Sequence, residues 1–151
     1  MINIALMNAE EYQTYLTSAI KYYAEEKVLS GNWKQEEAIS KAEAEYTKLL
    51  PQGEKTERNF LYTIQKDDVA VGVIWLAQKS EKLGFIYDIH ISEQYQGNGY
   101  AKEALKQIEI VGQELGLKKI GLHVFGHNLV ARGLYEKVGY KTTNVLMEKD
   151  I

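Results

Sequence analysis

Between two apolar runs of strand length, Gly84–Ile91 and Lys119–Phe125, lies the most regular amphipathic pattern in the chain, Gly99–Leu115. Ala101, Ala104, Leu105, Ile108, Val111, Gly112 and Leu115 share one stripe, while Lys102, Glu103, Lys106, Gln107 and Glu109 lie off it. Strand, helix and strand in this order predict a βαβ crossover, and with it a pair of parallel strands. A mixed α/β sheet follows.

The flanking sequence fills in that sheet. From Asn59 the apolar period is two: Phe60, Tyr62 and Ile64, a polar turn at Lys66-Asp67-Asp68, then Val69, Val71, Val73 and Trp75. This predicts an antiparallel hairpin, and the connection Lys79–Lys82 leads into the strand at Gly84 as a third member of the meander. Before Asn59 the pattern is a short strand, Ile2–Leu6, and two helices. Their apolar stripes are Tyr12, Leu16, Ala19, Tyr23 and Ala38, Ala42, Tyr46, Leu49, with a break at Ser30-Gly31-Asn32. Asn8 is a suitable N-cap with Glu10 and Glu11 behind it, and Pro51 and Gly53 stop the second helix. After the crossover come a short helix, Leu129–Val138, closed by Gly139, and a final strand, Tyr140–Asp150. The predicted order is β-α-α-β-β-β-α-β-α-β in a single domain, residues 1–151.

Composition narrows the function. With 18 Lys and Arg against 21 Asp and Glu, the net charge of −3 offers no general attraction for a nucleic-acid backbone. The absence of cysteine excludes thiolate chemistry, and three histidines alone make a poor metal site, so no metal is expected. No segment approaches the roughly 20 apolar residues that span a bilayer, and the N-terminus has no basic leader, so the expectation is a cytoplasmic protein without membrane contact. The charge is unevenly placed. Residues 1–60 carry 7 basic and 10 acidic side chains, whereas residues 61–151 carry 11 of each.

The stretch Gln94-Tyr95-Gln96-Gly97-Asn98-Gly99-Tyr100-Ala101 stands between a strand and the N-terminus of the best helix. Glycines there let backbone approach an anion, and the first helical N–H groups are unpaired donors at the positive end of the helix dipole. A tight turn that uses glycine for positive φ is the plainer reading of the same letters. The dinucleotide fingerprint fails because Lys102 stands where a third small residue belongs, and the P-loop Gly-Lys-Ser/Thr is missing.

Gln94-x-x-Gly97-x-Gly99 resembles the acetyl-CoA loop Q/R-x-x-G-x-G/A of the GNAT superfamily of N-acetyltransferases, and Tyr87-Asp88-Ile89-His90-Ile91 resembles that family's fourth strand. A second motif, Asn128-x-x-Ala131-x-x-Leu134-Tyr135-Glu136-Lys137-x-Gly139-Tyr140, is similar to the segment that ends the family's cofactor site. The resemblance implies a mixed, mostly antiparallel sheet with a V-shaped splay and helices on both faces. It also implies that main-chain groups of Ile89, His90 and Ile91 bind the pantetheine arm of acetyl-CoA. The pyrophosphate would rest on the amides of Gln96, Gly97, Asn98, Gly99, Tyr100 and Ala101, with Lys102 as an added cation or a solvated surface lysine. Asn128 would bond the arm, cap the short helix, or do both.

The same resemblance assigns the chemistry. Tyr135 would protonate the departing thiolate, or else serve as a core tyrosine between Ala131, Leu134 and Val138. An amine with a pKa near 10.4 arrives protonated and needs an acceptor for its proton. Tyr87 occupies the family's usual glutamate position, which leaves Asp88 as base or anchor of a water relay, with His90 on the same face by alternation unless a bulge intervenes. His123 and His127 read as structural. Trp33 and the pair Tyr22-Tyr23 are candidate walls for the acceptor. Only eleven residues follow Tyr140, so the acceptor side is either open or completed by another subunit or by the first two helices.

The function expected is transfer of an acetyl group from acetyl-CoA to a primary amine, by direct attack in a ternary complex. The acidic N-terminal part points weakly to a cationic acceptor, and a monomer or homodimer is expected. A non-catalytic acyl-CoA-binding or regulatory module is the alternative; a generic phosphate-binding domain would require the second motif to be coincidence.

Overall fold

The computed structural model describes Met1–Ile151. It contains β1 (Ile2–Leu6), α1 (Ala9–Leu29), α2 (Gln35–Leu49), β2 (Asn59–Lys66), β3 (Val69–Gln78), β4 (Leu83–Ile91), α3 (Tyr100–Glu114), β5 (Lys119–Leu122) and α4 (Leu129–Lys137). Local chemistry sets the boundaries. Asn8 caps α1 by accepting from the Glu11 N–H at 2.8 Å while the Glu11 carboxylate accepts from the Asn8 N–H at 2.9 Å, a reciprocal capping box. At the β2–β3 hairpin Asp67 and Asp68 both adopt positive φ, 50° and 68°, as a two-residue turn between right-twisted strands requires.

The strands lie in the order β1-β2-β3-β4-β5, antiparallel except for the parallel β4–β5 pair that α3 connects. On one face Leu105 and Ile108 of α3 pack against Ile64, Ile74, Leu76 and Ile86. On the other, Tyr12 and Tyr15 of α1 and Tyr46 of α2 pack against Leu61 and Trp75. Helices therefore cover both faces, as expected.

Two features of the strands shape the site. The β4–β5 ladder ends at Ile86 and Leu122, although β4 runs on to Ile91; the expected strand Lys119–Phe125 is paired only over its first four residues. The sheet thus splays where His123–Phe125 part from Tyr87–Ile91. In β4, Trp75 pairs with Asp88 and Leu76 with Ile86, leaving Tyr87 as an extra residue in a bulge.

One expected element is corrected. Tyr140–Asp150 makes no ladder with the sheet. The chain leaves α4 through Gly139 at φ 104° and runs off the fold with Val145, Leu146 and Met147 exposed, so its main-chain groups have no strand beside them.

Candidate active site

The glycine loop turns on two left-handed residues. Gly97 and Gly99 hold φ of 82° and 78°, and a Cβ at either would meet no atom within 4 Å. Close packing is therefore not what requires glycine there; the left-handed backbone is. Gly99 is the N-cap of α3 and no side chain caps the helix. The first intrahelical bond runs from Glu103 N–H to Gly99 C=O, so the amides of Tyr100, Ala101 and Lys102 remain available at the positive end of the dipole. Asn98 stiffens the loop by donating to Tyr95 C=O at 2.9 Å. The Lys102 side chain is exposed beside it.

The splayed part of β4 divides its three residues. Ser92 N–H bonds Val71 C=O at 2.9 Å, and by the period of two His90 also turns its main chain toward β3, which leaves Ile89 and Ile91 facing the gap. The carbonyl of Ile91 accepts from Gln96 Nε2 at 2.8 Å, tying the strand end to the loop. Across the gap, Asn128 caps α4 through its side-chain oxygen, which accepts from Ala131 N–H at 3.1 Å, leaving its amide donors free.

Between the splayed part of β4 and the chain that follows β5 lies a cavity of about 350 Å3 whose walls include Ile89, Asn128, Tyr135 and Asp88 together with Tyr22 and Glu26 of α1. The two residues expected to handle protons are thus brought to one chamber. Burial, and then the charge of Asp88, pushes the Tyr135 phenol up to about 12, so it is a protonated donor at neutral pH. Asp88 accepts from Tyr15 Oη at 2.8 Å. Desolvation raises its carboxyl above the ordinary carboxylate value, against the opposing hydrogen bond from Tyr15. Tyr15 is pushed well up by burial and by Asp88, and remains the donor of that bond.

A second cavity, of about 710 Å3, adjoins the first through Ala19, Tyr22 and Asp88. Its rim carries Glu10, Glu11, Glu25 and Glu93 against Lys21 and His90. His90 is on the Asp88 face, as alternation predicts, with its ring 5.1 Å from that of Tyr22. The bulge brings Tyr87 to the same face, where it stacks at 4.7 Å on Trp75 and accepts from Lys79 Nζ at 2.6 Å. Tyr22 and Tyr23 line the first cavity; Trp33 does not, and instead packs edge-on against Tyr23 with Lys27 and Lys41 over its ring. His127 pairs with Glu26, fastening the loop before α4 to α1, and His123 is held below its usual range by burial and then by Lys27.

Sequence reasoning missed Tyr15, Glu26 and Glu45. Glu45 accepts from Tyr23 Oη at 2.7 Å inside the first cavity. Tyr15, Ala19, Tyr22 and Glu26 recur at helical spacing on α1, so an acidic residue continuing an apolar stripe was the available signal.

A splayed βαβ pair, a glycine-opened helix N-terminus and a half-buried phenol across the gap define an acetyltransferase scaffold, and the chain belongs to the acetyltransferase (GNAT) family, whose model matches residues 16–140. The uncharacterized N-acetyltransferase YycN of Bacillus subtilis (strain 168) is 39% identical, with 99% of each chain aligned. The crystal structure of YycN superposes with a TM-score of 0.96 over 100% of this chain and 99% of that one. The fold is shared more distantly by a Clostridium acetobutylicum protein solved with acetyl-CoA, 16% identical with a TM-score of 0.67, covering 99% of this chain and 96% of that one. It is shared also by the aminoglycoside N-acetyltransferase AAC(6')-Iy bound to a bisubstrate analogue, 15% identical with a TM-score of 0.61, covering 100% and 98%. No helix is long and apolar enough to cross a membrane, and no three His, Cys, Asp or Glu are grouped to hold a metal ion.

Proposed function

We propose that this protein transfers the acetyl group of acetyl-CoA to a primary amine carried by a cationic acceptor, by direct attack with both substrates bound. The observation that carries the proposal is the shared chamber: Asp88 and Tyr135 line one cavity, at the point where β4 and β5 part. Donor binding by the free amides of Tyr100–Lys102 and the main chain of Ile89 and Ile91 fits the open space over Gly97 and Gly99. Lys102 adds a cation at the phosphates, and the amide of Asn128 faces the arm.

The donor supplies an activated thioester. The ammonium gives up one proton, the freed nitrogen then bonds to the thioester carbonyl carbon as the C–S bond breaks, a second proton reaches the thiolate, and the proton that the new amide nitrogen sheds restores the group that gave that second one. Asp88, made more basic by desolvation and held by Tyr15, takes the first directly or through water. Tyr135, protonated at neutral pH, gives the second.

Acceptor charge follows from the two cavities. Glu26, Glu45 and Asp88 face Lys27 in the first, and the second adds four glutamates, so the excess acid of residues 1–60 lies around the chamber. An acceptor with a second ammonium group gains from that field. The test is a turnover screen over polyamines, amino sugars, lysine peptides and neutral or anionic amines, with free thiol as readout. Acceptor-dependent thiol release confined to cationic amines supports the reading. Release only with neutral or anionic amines overturns the charge argument, and coenzyme A binding without turnover leaves a binding module.

A further inference from the structure

The first cavity holds a cation without a counter-ion. Of all the lysines only Lys27 and Lys66 are partly withdrawn from solvent, and while Lys66 pairs with Asp67 at 3.5 Å, no carboxylate pairs with Lys27. The Lys27 ammonium stands instead over the rings of Trp33 and Tyr23, 5.1 and 5.7 Å from their centroids, in the last turn of α1. Ring faces and the helix dipole both hold a cation in place, but neither neutralises it. His123, on the same cavity wall, is kept neutral by burial and by Lys27 itself. Glu45 of α2 also lines this cavity, and accepts from the hydroxyl of the same Tyr23 at 2.7 Å. Tyr23 therefore holds an ammonium by its ring and a carboxylate by its hydroxyl, and the two do not pair with each other.

For an acceptor carrying only positive charge, Lys27 would be a liability, because like charges in a partly dry chamber repel. Opposite charges held apart on one wall are the complement of a zwitterion. We infer that the acceptor is a free diamino carboxylic acid of the lysine or ornithine type, with its α-carboxylate on Lys27, its α-ammonium on Glu45 and its terminal amine toward Asp88. Such a molecule keeps a net positive charge, as the acidic chamber favours, and the rings of Trp75, Phe85 and Tyr87 give its methylene stem an apolar wall. The inference rests on the acetyl-transfer reading and names its substrate. In the step itself the terminal ammonium loses one proton to Asp88, its nitrogen takes the acetyl carbon as the C–S bond breaks, and coenzyme A leaves as the thiol. The products are the terminally N-acetylated amino acid, coenzyme A and one proton.

Matched acceptors test this without any variant, since cadaverine is lysine, and putrescine ornithine, without the carboxylate. Calorimetry on the coenzyme A-loaded protein and thiol release from acetyl-CoA should both favour the amino acid of each pair by about 10-fold or more, the worth of one charge-assisted contact. The product from lysine should carry its acetyl group on the terminal nitrogen. Lys27→Met keeps the stem on the rings and should invert the preference, weakening lysine about 10-fold and tightening cadaverine, while Lys27→Arg retains it. Cadaverine bound as well as lysine by the parent overturns the inference. So does acetylation of the α-nitrogen, or a Lys27→Met variant that changes both affinities by one factor. Thiol release with none of the four amines would count against acetyl transfer itself, and the calorimetric preference would still decide the zwitterion site.

Discussion

The two sides of the splayed sheet are built by different means. On the α3 side the packing is aliphatic, and the groups offered to a ligand are main-chain amides: Ile89, Ile91 and the first turn of α3 behind Gly97 and Gly99. On the α1–α2 side the packing is aromatic and the groups offered are side chains: Asp88 held by Tyr15, Glu45 held by Tyr23, Glu26 held by His127. A backbone site depends on φ and a strand register, so few positions matter and each matters greatly. A side-chain site can exchange one carboxylate or ring for another while the sheet stays intact. One half can thus retain a common donor while the other changes its acceptor.

The largest effect expected is at the backbone site. Gly97→Val forces a β-branched residue to φ near 82°, a conformation costing L-residues about 1–2 kcal/mol. Because no neighbouring atom meets the new Cβ, the fold should survive by circular dichroism. Relief of that strain displaces two or more charge-assisted amide contacts of about 1.5–3 kcal/mol each, and calorimetry should show coenzyme A affinity weakened more than about 10²-fold. Unchanged affinity in a folded variant would remove the loop from the donor site. Next is Tyr135→Phe, which keeps the ring edge-on to Tyr140, with centroids 6.0 Å apart, and deletes the donor. The rate should fall on the order of 10²-fold with coenzyme A affinity retained, and the melting temperature should stay close to the parent. A lowered melt with unchanged kcat would make Tyr135 structural.

The same contrast explains what the sequence disclosed. The α3 side was readable because its signals are local: glycine spacing, a capping asparagine at 128 and a stripe on one helix. The order of elements through α4 follows from periodicity alone. The acceptor side was readable only in part, since Tyr15 reaches Asp88 across 73 positions and Glu26 reaches His127 across 101. The Tyr87 bulge is set by pairing with β3, which no local pattern in β4 encodes. The last strand was misjudged because its apolar residues describe a segment able to pair, while pairing depends on what lies beside it.

Smaller effects belong to the side-chain half. Asp88→Asn should lower the rate about 10-fold at neutral pH, with the gap narrowing as pH rises and the amine loses its proton unaided. Its stability should move the other way. Burial raises the Asp88 carboxyl above its unfolded value, so the folded chain binds the extra proton and loses stability as pH rises through that window. The variant should therefore melt above the parent at neutral pH and level with it below the ordinary carboxylate range. A parent that melts higher at neutral pH would show that the carboxylate is stabilised rather than strained. Glu45→Gln should be mildest: KM for a polyamine rises a few-fold while KM for a neutral amine stays constant, and equal changes for both would detach Glu45 from acceptor charge.

The division of labour itself is most directly tested by amide chemical shifts in nitrogen-15-labelled protein, titrated first with coenzyme A and then with spermidine. Coenzyme A should move the amides of Ile89, Ile91 and Gly97–Lys102 while leaving those around Glu25, Glu26 and Glu45 in place, and spermidine should move the second set. Shifts from coenzyme A concentrated on α1 and α2, with Gly97–Lys102 unmoved, would contradict a donor site made of main chain and an acceptor site made of side chains.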